Sequence, residues 1–115
     1  MEQQLEQIRE QQKESWNKFS AGWKKWDKLT MEFLKPVGDE IIRQLNPKSN
    51  EVILDIAAGT GEPGLTIATM VGGGKVIISD LSEDMLVVAR EKAMKGHEIC
   101  AKAVYNDQIV YYTAY

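Results

Sequence analysis

One cysteine and one histidine are all that 115 residues offer to thiol or imidazole chemistry. An intrachain disulfide and a thiol cluster for a metal are thereby excluded, and no metal is expected. Cys100 reads as a small buried apolar residue, since nothing nearby would activate its thiol. His97 follows Gly96 at an expected helix end, where a solvated cap is the simpler reading. No apolar run approaches the ~20 residues of a membrane span. The polar start MEQQLEQIRE lacks the character of a signal peptide. A formal net charge of −3 gives no basic footprint for nucleic acid. The expected address is the cytoplasm.

What is present is ordinary globular material, with 43% apolar and 27% charged residues. The length favours one unit with a modest core. Residues 1–34 read as helix, because Trp16, Phe19, Trp23 and Trp26 recur at spacings of three, four and three. Gly22 is an expected weak point, and the first fourteen residues hold few apolar anchors. The Trp stripe reads first as core and lid packing. Pro36 and Gly38 then punctuate, leaving a short amphipathic helix over 39–45 and a turn at NPKSN.

From Glu51 the period changes. EVILDIAA is a continuous apolar run, as expected of a parallel strand buried on both faces. GEPGLTIATMV reads as a helix with Pro63 in its first turn, where a missing N–H costs nothing. A glycine turn leads to a second buried strand over 76–79. A second helix follows, with Ser82 as N-cap, Glu83 and Asp84 at its positive end and Gly96 as its stop. Strand–helix–strand–helix implies an α/β fold with a parallel sheet. The tail reads as a third strand over 99–105 and a β-prone run over 109–115, with ND between them as a turn signal that allows a hairpin.

Gly59, Gly61 and Gly64 lie at the spacing G-x-G-x-x-G after the first strand, a weak nucleotide signal on its own. A diphosphate needs free N–H groups and a positive field. Here Pro63 deletes a donor, and Glu62 and Asp55 bring negative charge. Two unit charges ~4 Å apart interact by about 4 kcal/mol at an effective dielectric of ~20. NAD(P) is therefore disfavoured. S-adenosyl-L-methionine, a net cation, suits such a loop, and Gly59 and Gly61 allow close approach of its aminocarboxypropyl chain. Asp80 ends the second strand where an acidic residue can take two ribose hydroxyls, and Leu81 is placed to cover one face of the adenine. Alternatively, the loop is a plain strand-to-helix turn and Asp80 a capping group for the helix after Ser82.

VILDIAAGTGEPGLTIA followed by VIISDLSEDMLVVAREKA resembles class I S-adenosyl-L-methionine-dependent methyltransferases, most closely the ubiquinone/menaquinone-biosynthesis type. The resemblance runs over about residues 15–93 and includes SWNKFSAGWKKW, similar to the family's N-terminal helices over the cofactor site. It implies a cofactor site of Asp55, Ala57, Ala58, Gly59, Thr60, Gly61, Asp80 and Leu81, with Trp23 from the helices above. Ala57 stands where many members have glycine. The resemblance also implies a small-molecule acceptor; no catalytic residue is assigned.

The expected architecture is thus a helical segment over 1–50 and a partial Rossmann-like domain over 51–115, the N-terminal half of a doubly wound parallel sheet. Asp107 is a candidate for a degenerate form of the family's acidic adenine-contacting stretch. QIVYYTAY does not resemble the family's continuation, so an interrupted methyltransferase gene is expected, with weakened cofactor affinity and little turnover by the chain alone. The bare strand edge such a half-sheet leaves predicts a homodimer. The rival reading is a non-catalytic, self-associating module that keeps the fold.

Overall fold

The computed structural model describes residues 1–95 in full, and the backbone of 99–100 and 109–114. Helix α1 (Glu2–Lys25) is followed at once by α2 (Asp27–Leu45). The break falls at Trp26, whose N–H still reaches the carbonyls of Gly22 and Lys24. It is thus four residues after the expected weak point. Helix α2 runs straight through Pro36 and Gly38, contrary to the expected interruption. Side-chain pairs within the helix support it there, Lys35 with Asp39 at 2.6 Å and Arg43 with Glu40 at 2.6 Å. Asn46, in the left-handed conformation at φ +46°, ends it.

Strand β1 (Val52–Ile56), helix α3 (Gly64–Ala68), strand β2 (Lys75–Ser79) and helix α4 (Glu83–Lys95) follow in the expected order. Helix α3 is only five residues long, with turns after it where helix was expected. Ser82 caps α4 as read, its Oγ accepting the Met85 N–H at 3.2 Å. Two short strands complete the sheet, β3 (Ile99–Cys100) and β4 (Ile109–Ala114).

The sheet order is β1-β2-β4-β3. Strands β1 and β2 pair in parallel, with Leu54 opposite Ile77. Strand β4 runs antiparallel to both β2 and β3. The fold is α/β, but the expected all-parallel sheet is corrected to a mixed one. Because β3 and β4 pair antiparallel with each other, one of them must oppose β2. It is β4 that lies between, while β3 keeps the parallel sense at the far edge. The remainder of the expected third strand, together with Gly96, His97, Asp107 and the side chain of Cys100, falls outside the described residues.

The core lies between the β1–β2 pair and helices α3 and α4. Val76 and Ile78 of β2, Ala68 of α3, Val71, and Ala89 and Ala93 of α4 are completely buried. Strand β1 is buried on one face only: Ile53 turns inward, while Val52, Leu54 and Ile56 are 63%, 55% and 73% exposed. That corrects the expectation of a strand covered on both sides. Its continuous apolar run could not reveal this, since each face is apolar whether or not a second layer covers it. Neither α1 nor α2 contains a buried residue.

Candidate functional site

The strand-to-helix loop over 57–61 sits at the end of β1 beside the end of β2. Ala58 N–H reaches the Ser79 carbonyl at 3.0 Å, fastening the loop to β2. Three residues take positive φ: Ala57 at +56°, Gly59 at +58° and Gly61 at +111°. A left-handed conformation costs an L-residue roughly 1–2 kcal/mol, and glycine almost nothing. Glycine would relieve that cost at residue 57, and Ala57 keeps the strained turn. At Gly61 a Cβ would also lie 2.7 Å from Leu65 Cδ1.

The two acidic strand ends tie down this loop and the helix start beyond it. Asp55 Oδ2 accepts the Gly64 N–H at 2.9 Å. Gly64 fits because a Cβ there would sit 2.7 Å from that oxygen and 3.2 Å from Ile78 Cγ1. Asp80 Oδ2 accepts the Gly59 N–H at 2.9 Å, and its Oδ1 accepts the Ser82 N–H at 2.8 Å. The capping alternative for Asp80 is therefore partly realised, as an Asx turn into α4. An ionised carboxylate offers about four lone-pair sites, so roughly two remain for a ligand.

Burial pushes the Asp55 carboxyl above its ordinary range; the Gly64 N–H opposes this, while the negative charges of Glu62 and Asp80 reinforce it. Three carboxylates thus crowd one loop. Glu62 also reaches the first turn of α3, its Oε2 accepting the Thr66 hydroxyl at 2.6 Å and the Thr66 N–H at 3.3 Å. Leu81 is half-buried beside Asp80. Trp23 is half-buried on α1, its ring centroid 6.4 Å from that of Trp16. Thr60 is 5% exposed and donates its hydroxyl to Asp27 Oδ1 at 3.1 Å.

Sequence reasoning missed two participants. Asn17 of α1 reaches Ser82, and Asp27 of α2 reaches Thr60. Nothing in the local pattern marks either, because each partner is more than thirty positions away along the chain. A groove of about 640 Å³ opens between α2 and the Glu62–Pro63 turn, lined by Met31, Leu34 and Ile42 on one side and Thr66 and Lys92 on the other. No helix among the described residues is long and apolar enough to cross a membrane.

Comparison with known proteins adds a family. The ubiE/COQ5 methyltransferase family matches residues 13–109. The chain is similar to the ubiquinone/menaquinone biosynthesis C-methyltransferase UbiE of Nitrobacter hamburgensis, 38% identical over 63 residues, which is 51% of this chain and 25% of that protein. The protein of the same name from Pectobacterium carotovorum is 46% identical over 46 residues, 39% of this chain and 18% of its own. That of Zymomonas mobilis is 38% identical over 56 residues, 49% and 22% of the two chains. The chain spans about a quarter or less of the length of these relatives. No solved structure matches it.

Proposed function

The chain belongs to the ubiE/COQ5 methyltransferase family, and from that premise we propose that it binds S-adenosyl-L-methionine, the family's methyl donor, in the acidic loop site. The observation that carries this reading is the Asp80–Gly59 hydrogen bond at 2.9 Å, which joins the glycine loop to the second acidic strand end. Asp55, Glu62 and Asp80 around the loop favour a cationic ligand over a diphosphate. The bound cofactor supplies an electrophilic methyl group on a sulfonium. The chain's own part is binding and orientation. Asp80 accepts the ribose hydroxyls, the backbone at Ala58, Gly59 and Gly61 passes close to the aminocarboxypropyl chain, Leu81 covers the adenine, and Trp23 closes the site from the helical side.

The relatives are named for C-methylation in ubiquinone/menaquinone biosynthesis. We carry that class of acceptor to this chain, a carbon atom of a small quinone-precursor molecule, with the cytoplasm as its place of action. Methyl transfer of this kind depends chiefly on holding the acceptor in line with the sulfonium.

Calorimetric titration of the chain with S-adenosyl-L-methionine, with NAD as control, tests the reading. Saturable binding of the first alone is expected. Asp80→Ala should weaken it by about tenfold or more, as charge-assisted hydrogen bonds are worth roughly 1.5–3 kcal/mol. Equal binding by parent and variant would remove Asp80 from the site.

A second reading, self-association, has its own support. Among the described residues β1 pairs only with β2, and its Val52–Leu54–Ile56 face is exposed. We propose a homodimer formed at that edge. Sedimentation should give twice the chain mass, reduced to a monomer by Leu54→Lys; a parent monomer at high concentration would rule the dimer out.

A further inference from the structure

We infer that Asn17 and Asp27 are positioning residues, through which the two N-terminal helices hold the two loops of the cofactor site. The functional half of this inference rests on the cofactor reading above. Asn17 Oδ1 accepts the Ser82 hydroxyl at 2.5 Å and the Asp84 N–H at 3.3 Å. Ser82 is completely buried, caps α4 at Met85, and donates its own N–H to Asp80. A continuous chain of hydrogen bonds therefore runs from α1 through Ser82 and Asp80 to Gly59.

Ten positions later, Asp27 opens α2 directly after the break at Trp26. Its Oδ1 accepts the Thr60 hydroxyl and the Lys92 ammonium, each at 3.1 Å. Thr60 lies between Gly59 and Gly61 and is nearly fully buried. One helix thus holds the loop after β2 and the other holds the loop after β1. Two backbone segments that meet at the ligand are aligned by side chains that need not touch it.

Both partners of Asn17 donate to it, so an aspartate at residue 17 preserves the contact and an alanine removes it. By linkage, a ligand that orders the loops must also tighten the helices. Loss of either side chain should raise the dissociation constant for S-adenosyl-L-methionine severalfold, up to about tenfold, the factor one net hydrogen bond supplies.

The test is residue-resolved amide exchange on the full chain, combined with cofactor titration, for the parent, Asn17→Ala, Asp27→Ala and Asn17→Asp. Exchange at Gly59 and Met85 should accelerate about tenfold in Asn17→Ala while the β2 amides are unchanged, and Asn17→Asp should restore parental rates. In a Ser82→Ala background, Asn17→Ala should add much less than in the parent, since only the longer Asp84 N–H contact is left to lose. Unchanged loop exchange, or equal acceleration throughout β2, overturns the inference, the latter because it marks a general loss of stability. If the parent binds no S-adenosyl-L-methionine, the cofactor reading fails separately, and the exchange pattern still decides whether the helices hold the loops.

Discussion

Helices α1 and α2 together contain 24 and 19 residues without one buried side chain, whereas β2, α3 and α4 hold most of the buried apolar residues. The N-terminal helices are not short of apolar groups. Phe33, Leu29 and Phe19 are 82%, 63% and 57% exposed. Ile42 of α2 packs against that core, and polar contacts join the helices to α4 and the loops: Asn17 with Ser82, Lys13 with Glu83 at 3.5 Å, Lys24 with Glu91 at 2.7 Å, and Asp27 with Lys92. Apolar burial makes the α/β part cohesive. The polar contacts orient the helical part, and the exposed ion pairs among them, Lys13–Glu83 and Lys24–Glu91, contribute only ~0.2–1 kcal/mol each. Such a division suits a scaffold that must stay rigid beneath a cover that is held in place by specific groups.

All three tryptophans, Trp16, Trp23 and Trp26, lie in the helical part. Their fluorescence follows that part, while circular dichroism follows the whole. The hardest blow to the comparison would come from Ile78→Ala, because Ile78 is fully buried in β2. A cavity there should cost about 2–5 kcal/mol, a large share of the ~5–15 kcal/mol that holds a domain folded. Chemical denaturation should show both signals moving to lower midpoints. A tryptophan transition that stays where it was would mean the helices stand without the core.

A subtler effect concerns Asp55. Its carboxyl titrates above the unfolded value, chiefly through burial, so the folded state binds the proton more tightly than the unfolded one. The stability this contributes is fully present below about pH 4, the unfolded value, and is lost as pH rises through the raised folded value. Asp55→Asn, which keeps an oxygen for the Gly64 N–H, should therefore be more stable than the parent at neutral pH. The advantage should vanish in acid. Parallel pH–stability curves for the two proteins would refute this account of Asp55.

The smallest expected change comes from salt. Raising ionic strength to about 1 M shortens screening to about 3 Å and should weaken the Lys13–Glu83 and Lys24–Glu91 pairs. The tryptophan signal should shift by the equivalent of roughly 1 kcal/mol or less while the core midpoint does not fall. A core that loses stability by the same amount would show that the two parts respond as one.

Much of the site could be read from local pattern. The order of elements, the Ser82 cap and the acidic residues closing both strands follow from period, turn chemistry and charge within a few positions of one another. Pro36 was misleading because its helix-breaking tendency is a local cost of about 3 kcal/mol, more than exposed pairs such as Lys35–Asp39 offset, so the continuity of α2 through it is decided beyond its neighbours. The antiparallel pairing of β4 with β3 agrees with the hairpin that the ND turn signal allowed, whereas its place beside β2 was illegible because the local pattern does not say which strand a run pairs with.

The glycine loop, its negative charge and the identities of Asp55 and Asp80 are properties of neighbouring residues, which short-range sterics and charge settle before the chain is folded. The exposed face of β1, the insertion of β4 beside β2, and the reach of Asn17 and Asp27 to the loops depend on which distant segments meet. Hydrogen bonds between residues 33 and 65 positions apart leave no periodicity to find, because burial and packing of the intervening chain bring their partners together.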